Sequence, residues 1–317
     1  MPTAKPLRVG VIGPAGFGGS YLSVELLNRG HQVIGISRNP GKLGKHERYI
    51  PRPVDIGDTT IAELAQKFEG IDVLVSEYGP HTAGAGALLY MPFLETVRKL
   101  ILAVKISPVK YFLFVGGAGS LHVPTTSECC VDHPDFFMAY RRAIATSEAH
   151  ISYMEERLGI LGTALRTYRN ARIAEREGRA TDEDRKAIDE YEKDIKNKDK
   201  AADFIKAGRT AYMFFDGNTS FKWSFVSPSA LYRPGKRTGE YKISVDDMIL
   251  EGEQKDGEGI FEGRLTGISV ADMAIAIADE AENEKLVGKH WSAVGDISED
   301  NPAPSYLTLE SVEGGSR

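Results

Sequence analysis

Three glycines, Gly13, Gly16 and Gly19, recur at every third position of the segment GVIGPAGFGGS, which spans residues 10–20. Glycines in such a loop permit a sharp turn out of a strand, let a phosphate approach the backbone and let the next helix pack closely. The free N–H groups and the positive end of that helix attract phosphate. The spacing differs from the G-x-G-x-x-G of most dinucleotide folds. Because the glycines lie between a strand pattern and a helix pattern, they predict a dinucleotide site, a bare tight turn being the alternative.

The end of the second strand pattern predicts which dinucleotide binds. Folds that prefer NAD place an acidic residue there to bind the ribose hydroxyls, whereas this chain has Ser37 and Arg38 in the segment GISRNPGKL. A guanidinium suits the 2′-phosphate of NADP(H) in charge and in bidentate geometry. Lys42 adds a second positive charge. We therefore predict NADP(H) as the cofactor, a surface arginine without a ligand being the alternative for Arg38.

A common helical pair for proton transfer is absent from this sequence. Many nicotinamide-dependent reductases carry Tyr-x-x-x-Lys, in which the lysine lowers the pKa of the tyrosine. The pairs at this spacing that we considered are Tyr140 with Ile144, Tyr153 with Arg157, and Tyr232 with Lys236. The last one matches literally, but Pro234 and Gly235 place it in a turn. Hydride transfer mainly requires a cofactor held against its substrate, so the sequence favours an acceptor whose reduced form is stabilised by delocalisation.

Three residues are candidate proton donors. Ser120 follows a glycine-ended strand, Tyr140 lies on the next predicted helix, and His133 lies in the segment ECCVDHPDF between them. Each has a structural alternative: a turn cap for Ser120, packing for Tyr140 and a loop position for His133. His81 is a weaker candidate of the same kind. A metal site is not predicted, because Cys-Cys-x-x-His would need further ligands at workable spacing.

Composition narrows the classes of protein that fit the chain. It has 317 residues, of which 42% are hydrophobic, and a formal net charge of −6. That charge does not favour a nucleic-acid partner, and no run approaches the roughly 20 apolar residues of a membrane span. The only cysteines, Cys129 and Cys130, are adjacent and form no disulfide framework. A cytoplasmic location is therefore the expectation.

Strand patterns alternate with helix patterns through the first half of the chain. The predicted strands are 7–13, 31–37, 71–79 and 110–120, and the predicted helices are 19–30, 60–70 and 90–107. Thr60 and Glu63 form a capping-box pattern at the start of the second helix. This alternation, with nearly continuous apolar strands, predicts a doubly wound parallel sheet of the α/β Rossmann class.

Residues 160–218 depart from this alternation because they are helical and dense in charged side chains. A run of this kind is usually a solvated helix face. We interpret it as an insertion into a Rossmann domain made of residues 1–159 and 219–296 with a small substrate-side lobe, followed by a polar tail, 297–317. The insertion is a substrate lid, a contact between copies of the chain in a homo-oligomer, or a decoration without function.

Several segments together resemble the NmrA-like, atypical short-chain dehydrogenase/reductases. They are GVIGPAGFGGSYLSVELLNRGHQVIGISRNPGKL, VLVSEYGP, FLFVGGAGSLHV and WSFVSPSALYRPGKRTGEYKI. More narrowly, they resemble the small NAD(P)H-binding reductases near the biliverdin/flavin reductase branch. The resemblance covers residues 7–155 and 219–290 and implies a Rossmann fold that binds NAD(P)H.

The resemblance also implies roles for individual residues. The loop from Gly13 to Gly19 would bind the pyrophosphate, with backbone contacts from Ala15, Gly16 and Phe17. The other implied contacts are Arg38 at the 2′-phosphate, Asp55 and Ile56 beside the adenine, Gly79, Pro80, Gly116 and Gly117 near the nicotinamide, and Ser227 and Pro228 over the carboxamide. The chain departs from the family at Pro14, usually alanine, and at Ala15, commonly threonine. Pro14 removes one backbone donor from the loop.

Three functions fit these observations. The first is an NADPH-dependent reductase of a small conjugated or aromatic carbonyl or quinone-type compound. The second is a redox sensor that binds NADP(H) without turnover and uses the charged insertion as a partner surface. The third is a non-redox isomerase or lyase on the same fold. The segments VSEYGP and GGAGS, which would border the nicotinamide half of the site, favour the reductase.

Overall fold

The computed structural model describes residues 6–79, 90–197, 200–299 and 303–312. Pro80 and His81, two residues singled out in the sequence, lie outside the described residues. None of the helices in these ranges combines the length and the apolar character that a membrane span requires.

Eight described strands form the main sheet, in the order β3-β2-β1-β4-β5-β6-β10-β8. Their bounds are β1 Arg8–Ile12, β2 Gln32–Ser37, β3 Tyr49–Pro53, β4 Val73–Ser76, β5 Tyr111–Val115, β6 Trp223–Val226, β8 Tyr241–Val245 and β10 His290–Gly295. All neighbours pair in parallel except β8 with β10. Strand order reverses between β1 and β4, and ligands of such sheets bind at the carboxyl ends of strands beside this switch point. The predicted doubly wound α/β fold is confirmed.

Helices cover both faces of this sheet. Helices α1 (Phe17–Asn28) and α9 (Val270–Asn283) pack on one face, where their apolar side chains join those of β1 and β10 in one core. Helices α2 (Ile61–Lys67) and α3 (Tyr90–Lys105) contribute to a second core on the other face. The predicted capping box of α2 is present: the Thr60 hydroxyl accepts from the Glu63 N–H, and the Glu63 carboxylate accepts from the Thr60 N–H.

A smaller lobe lies beside the main sheet. Strand β7 (Leu231–Arg233) pairs in parallel with β9 (Gly267–Ser269). Helix α4 (Phe136–Thr146) packs over β7 in the same lobe, and Phe136 joins a separate apolar cluster with Phe261. The chain breaks helical geometry at Ser147, whose hydroxyl accepts from the His150 N–H and starts α5 (Glu148–Leu158) in a new direction.

The charged segment divides into two parts with different surroundings. Helices α6 (Ile160–Arg176) and α7 (Asp182–Lys196) pack with α4 and α5 around a small core that includes Tyr168 and Ile188. Helix α8 (Lys200–Tyr212) instead packs on α3, and its residues Ala207 and Ala211 belong to the core under the main sheet. A parallel connection from β5 to β6 needs a crossover helix on the sheet, and α8 takes that place.

Candidate functional site

A cavity of about 470 Å³ lies at the carboxyl ends of β1, β4, β5 and β6, at the start of α1. Its wall includes backbone of the glycine loop, the segments that follow the three other strands, and aromatic side chains from α4, β7 and the C-terminal segment. The lining residues include Gly16, Phe17, Gly18, Glu77, Gly79, Gly116, Gly117, Phe136, Tyr140, Glu156, Arg157, Pro228, Ser229, Tyr232 and Tyr306. Residues 160–218 contribute none of the described lining residues.

The glycine loop has the geometry of an anion cradle. Gly13 adopts a φ of 79°, and its carbonyl accepts from the Gly16 N–H. A Cβ placed on Gly19 would lie 2.0 Å from the Gly13 carbonyl oxygen, so only glycine fits there. Helix α1 then begins at Phe17, and the N–H groups of Phe17, Gly18 and Gly19 have no acceptor within the described chain. Free N–H groups at a helix start bind phosphate.

Glu77 is a functional candidate that we did not identify from the sequence. It directly follows β4 and lines the cavity, where its Oε1 atom has no hydrogen-bond partner among the described residues. Its Oε2 atom lies against Gly18, 2.3 Å from where a Cβ on that glycine would lie. Burial raises the pKa of Glu77 to about 7. The available signal was an acidic residue directly after a buried parallel strand, inside the quoted segment VSEYGP.

The residues predicted around the adenosine lie at the β2–β3 side of the sheet. Arg38 and Lys42 follow β2, are exposed, and have no ion-pair partner in the part of the chain that the structure describes. Asp55 follows β3, and its Oδ1 accepts from the Gly57 N–H in a local turn. Ile56 beside it is buried in the core. The two cations are therefore available to a ligand.

Ser120 lies in a buried polar cluster instead of the cavity wall. It is 1% exposed, and its hydroxyl is 2.7 Å from the Gly117 carbonyl oxygen and 2.8 Å from the Ser227 hydroxyl. The Ser227 oxygen is in turn 2.9 Å from Nε2 of His290. Burial lowers the pKa of His290 to about 3, so its ring is neutral at physiological pH. The hydroxyls of Ser120 and Ser227 are bonded inside the protein, and neither residue is among the described lining residues of the cavity.

Ser229, two residues beyond Ser227, does line the cavity. Its hydroxyl is buried and has no partner among the described residues. Pro228 lies beside it in the same wall, with Gly116 and Gly117 of the segment after β5. Of the two residues that the resemblance implies over the carboxamide, Pro228 lines the cavity and Ser227 does not.

His133 also lies away from the cavity. Its Nδ1 accepts from the Asp135 N–H, and its ring packs edge-on against Phe261 at 5.2 Å. Cys130 is fully buried, with its sulfur 4.0 Å from that of Met248. Within the described ranges, no group of three or more His, Cys, Asp or Glu residues is arranged to hold a metal ion. His133 therefore occupies a loop position, which was the alternative to a role as proton donor.

Tyr140 is the one of the three candidate donors that reaches the cavity. Its ring stacks on that of Phe136, with centroids 6.2 Å apart, and its hydroxyl has no partner within the described residues.

Tyr153 and Arg157, which have the spacing of the Tyr-x-x-x-Lys pair, are joined by a hydrogen bond of 2.8 Å from Arg157 Nη1 to the Tyr153 oxygen. Burial raises the pKa of Tyr153 to about 12 despite the nearby guanidinium. Tyr153 therefore stays protonated, and Arg157 is the member of this pair that lines the cavity.

Comparisons with known proteins agree with this geometry. Residues 13–156 match a family model described as NAD(P)H-binding, which supports a nicotinamide cofactor. The chain is 26% identical over 293 residues to the uncharacterized protein YwnB of Bacillus subtilis, covering 92% of this chain and 99% of that protein. A solved structure from Bacteroides thetaiotaomicron, provisionally described as an epimerase, is 24% identical with a TM-score of 0.62, covering 93% of this chain and 99% of the other.

A second solved structure, from Streptococcus pneumoniae, is provisionally described as an NADH-flavin reductase. It is 19% identical with a TM-score of 0.54, and the match covers 92% of this chain and 100% of the other. At these identities the two structures show a shared fold. The NmrA-like branch implied by the sequence resemblance is not distinguished by these matches, which support the broader class of NAD(P)-binding Rossmann proteins.

The residues present fit a nicotinamide dinucleotide. The N–H groups of Phe17, Gly18 and Gly19 have no acceptor within the described chain and suit a diphosphate. In the wall of the same cavity, the hydroxyl of Ser229 is buried without a partner among the described residues, and a hydroxyl can both donate to and accept from a carboxamide. Both features lie on one cavity, which is the arrangement that a bound dinucleotide requires.

Proposed function

We propose that this protein is an NADPH-dependent reductase of small conjugated or aromatic carbonyl or quinone-type compounds. The observation that carries this proposal is a cavity whose wall contains both the start of α1, with its free N–H groups, and several aromatic side chains. The aromatic side chains are Phe136, Tyr140, Tyr232 and Tyr306. Planar acceptors stack favourably on such rings.

Each part of the site has a role in this proposal. The N–H groups at the start of α1 hold the diphosphate, and Arg38 and Lys42 hold the 2′-phosphate. Gly116, Gly117 and Ser229 border the nicotinamide. When bound, a reduced nicotinamide supplies a hydride.

The proton donors available in the cavity limit the class of acceptor. Tyr140 offers a hydroxyl but has no lysine four positions later on its helix, where the chain has Ile144. A simple ketone requires a positioned acid to protonate its oxygen. Acceptors that delocalise the added electrons can instead take a proton from water or from the Tyr140 hydroxyl.

The test is the rate of NADPH oxidation with a panel of quinones, flavins, enones, aromatic ketones and aliphatic ketones. We expect turnover of at least one delocalised acceptor and none of the aliphatic ketones. Calorimetry with NADPH accompanies the assay. Tight NADPH binding without any turnover would contradict the reductase and support a sensor that uses the same cavity.

Replacing Arg38 with alanine tests the cofactor preference. We expect the free energy of NADPH binding to weaken by about 1.5–3 kcal/mol, the contribution of a hydrogen bond to a charged group. NADH lacks the 2′-phosphate, so its dissociation constant should stay nearly unchanged. Calorimetry with both cofactors measures the difference, and equal weakening of the two would show that Arg38 does not contact the 2′-phosphate.

A further inference from the structure

Arg157 is the only cation among the described lining residues of the cavity. Its side chain is exposed. Its one hydrogen bond in the described chain is to the phenol oxygen of Tyr153, and it has no carboxylate within ion-pair distance there. Its guanidinium also lies 5.9 Å from the centre of the Tyr153 ring.

Arginines on the adjacent helices have different surroundings. Four of them pair with glutamate: Arg142 and Arg172 with Glu192, Arg166 with Glu148 and Glu155, and Arg169 with Glu148, whereas Arg141 on α4 has no ion pair within the described residues. Unlike these four arginines, Arg157 has no carboxylate partner among the described residues, and it is the arginine that lines the cavity.

Neither of the two carboxyl groups that line the cavity, those of Glu77 and Glu156, pairs with Arg157. Glu156 neighbours Arg157 in sequence, but successive residues of a helix do not face each other, and its carboxylate accepts from the Ser305 hydroxyl. Glu77 lies against Gly18 at the cradle and forms no ion pair with Arg157. The guanidinium thus keeps free donors toward the cavity.

The position of Arg157 relates it to the glycine loop. The ring of Tyr153, which holds Arg157, packs on that of Phe17 with centroids 4.6 Å apart. Phe17 is the first residue of α1, so Arg157 is connected to the start of that helix through two packed rings and lines the same cavity. Tyr232 packs on the other side of Phe17 at 5.1 Å and completes an aromatic support.

We propose that Arg157 binds an oxyanion of the ligand in this cavity. Guanidinium groups pair with carboxylate and phosphate oxygens in bidentate geometry. The oxyanion is either the diphosphate of the cofactor or a carboxylate on the substrate, in which case the substrate is an aromatic or conjugated acid. If the oxyanion is a substrate carboxylate, the inference rests on the proposed reductase function.

Calorimetry on the wild-type chain and on Arg157→Gln separates the two sources. The probes are NADPH, NADH, and benzoate added to protein saturated with NADP⁺. If the oxyanion is the diphosphate, Arg157→Gln raises the dissociation constants of NADPH and NADH by the same factor, about tenfold or more. If it is a substrate carboxylate, only benzoate binding weakens, by a similar factor. Dissociation constants within twofold of wild type for all three probes would overturn the proposal.

Arg166→Gln is the matched control. This substitution removes ion pairs that lie outside the cavity, so all three dissociation constants should stay unchanged. Arg157→Lys, which keeps the charge and loses the planar fork, replaces the glutamine variant if that one fails to fold. Benzoate binding without NADPH turnover would overturn the reductase and leave the oxyanion site standing. Failure of the wild type to bind any of the probes would overturn both.

Discussion

Replacing Glu77 with glutamine is expected to make NADPH binding nearly independent of pH between about pH 7 and about pH 9. In the wild-type protein we expect the dissociation constant to rise by up to roughly tenfold per pH unit over this range. Glutamine has the shape of the protonated acid and cannot ionise. The variant should therefore bind as tightly as wild type near neutral pH and much more tightly at the alkaline end.

The direction of this effect follows from where Glu77 lies. Its carboxyl group lies against Gly18, at the start of α1, whose free N–H groups we propose bind the diphosphate. Burial raises the pKa of Glu77 to about 7, so the group is mostly neutral below this pH and mostly charged above it. A negative charge there repels the diphosphate. Tyr232, its titratable neighbour, has a pKa raised well above its usual value by burial and by the Glu77 charge, and stays neutral throughout.

The same group affects stability with a definite sign. Because the pKa of Glu77 in the folded chain exceeds its ordinary value, the folded state holds the proton more tightly than the unfolded state. The free energy of unfolding should fall as pH rises from about 4.5 to about 7, by an amount on the order of 2 kcal/mol. Glutamine at position 77 should remove this loss.

Calorimetry with NADPH and NADH at several pH values measures the binding effect. The 2′-phosphate of NADPH titrates near pH 6, so measurements start above that value, and NADH provides a ligand that lacks the group. Glu156→Gln is the control, since it neutralises another cavity carboxyl away from the cradle. A wild-type affinity that does not change with pH would show that Glu77 does not face the diphosphate.

The sheet and the glycine loop could be predicted because their signals are local. Four strand patterns and the capping box at Thr60 each depend on a few adjacent residues. Strand β3 was missed because its sequence, YIPRP, contains Pro51 and Pro53. Proline is tolerated on a sheet edge, and β3 is the edge strand beside β2. Only the topology shows that this position is an edge.

Side-chain direction could not be read from the sequence. Ser120 and Ser229 both follow strands of the same sheet. The Ser120 hydroxyl is hydrogen-bonded to Ser227 inside the protein, whereas Ser229 lies in the cavity wall with a buried hydroxyl that has no described partner. Arg157 reaches the cavity because the chain turns at Ser147, so that α5 runs over Phe17. The segment 160–218 appeared uniformly charged, but Ala207 and Ala211 of α8 enter the main core. Each outcome depends on contacts between residues distant in sequence.

Replacing Gly19 with alanine is expected to weaken NADPH and NADH binding equally, by about 100-fold or more. The new Cβ would lie 2.0 Å from the carbonyl oxygen of Gly13, an overlap between two backbone segments that no side-chain rotation relieves. Either the loop or the first turn of α1 must move, which turns the N–H groups of Phe17 and Gly18 away from the diphosphate. Losing two hydrogen bonds to a charged group at about 1.5 kcal/mol each accounts for this factor.

Overpacking of this kind should also lower the free energy of unfolding by about 1–3 kcal/mol, so affinity is measured on protein whose folding has been checked by circular dichroism. Gly208→Ala on α8 is the control, because its Cβ would meet only the Gly117 nitrogen at 4.0 Å. Unchanged affinity in Gly19→Ala would mean that the cradle is not the diphosphate site. Gly19→Ala should weaken the binding of NADPH and NADH equally, whereas Arg38→Ala should weaken the binding of NADPH alone. The first variant therefore tests the phosphate cradle, and the second tests the preference for NADP(H) over NAD(H).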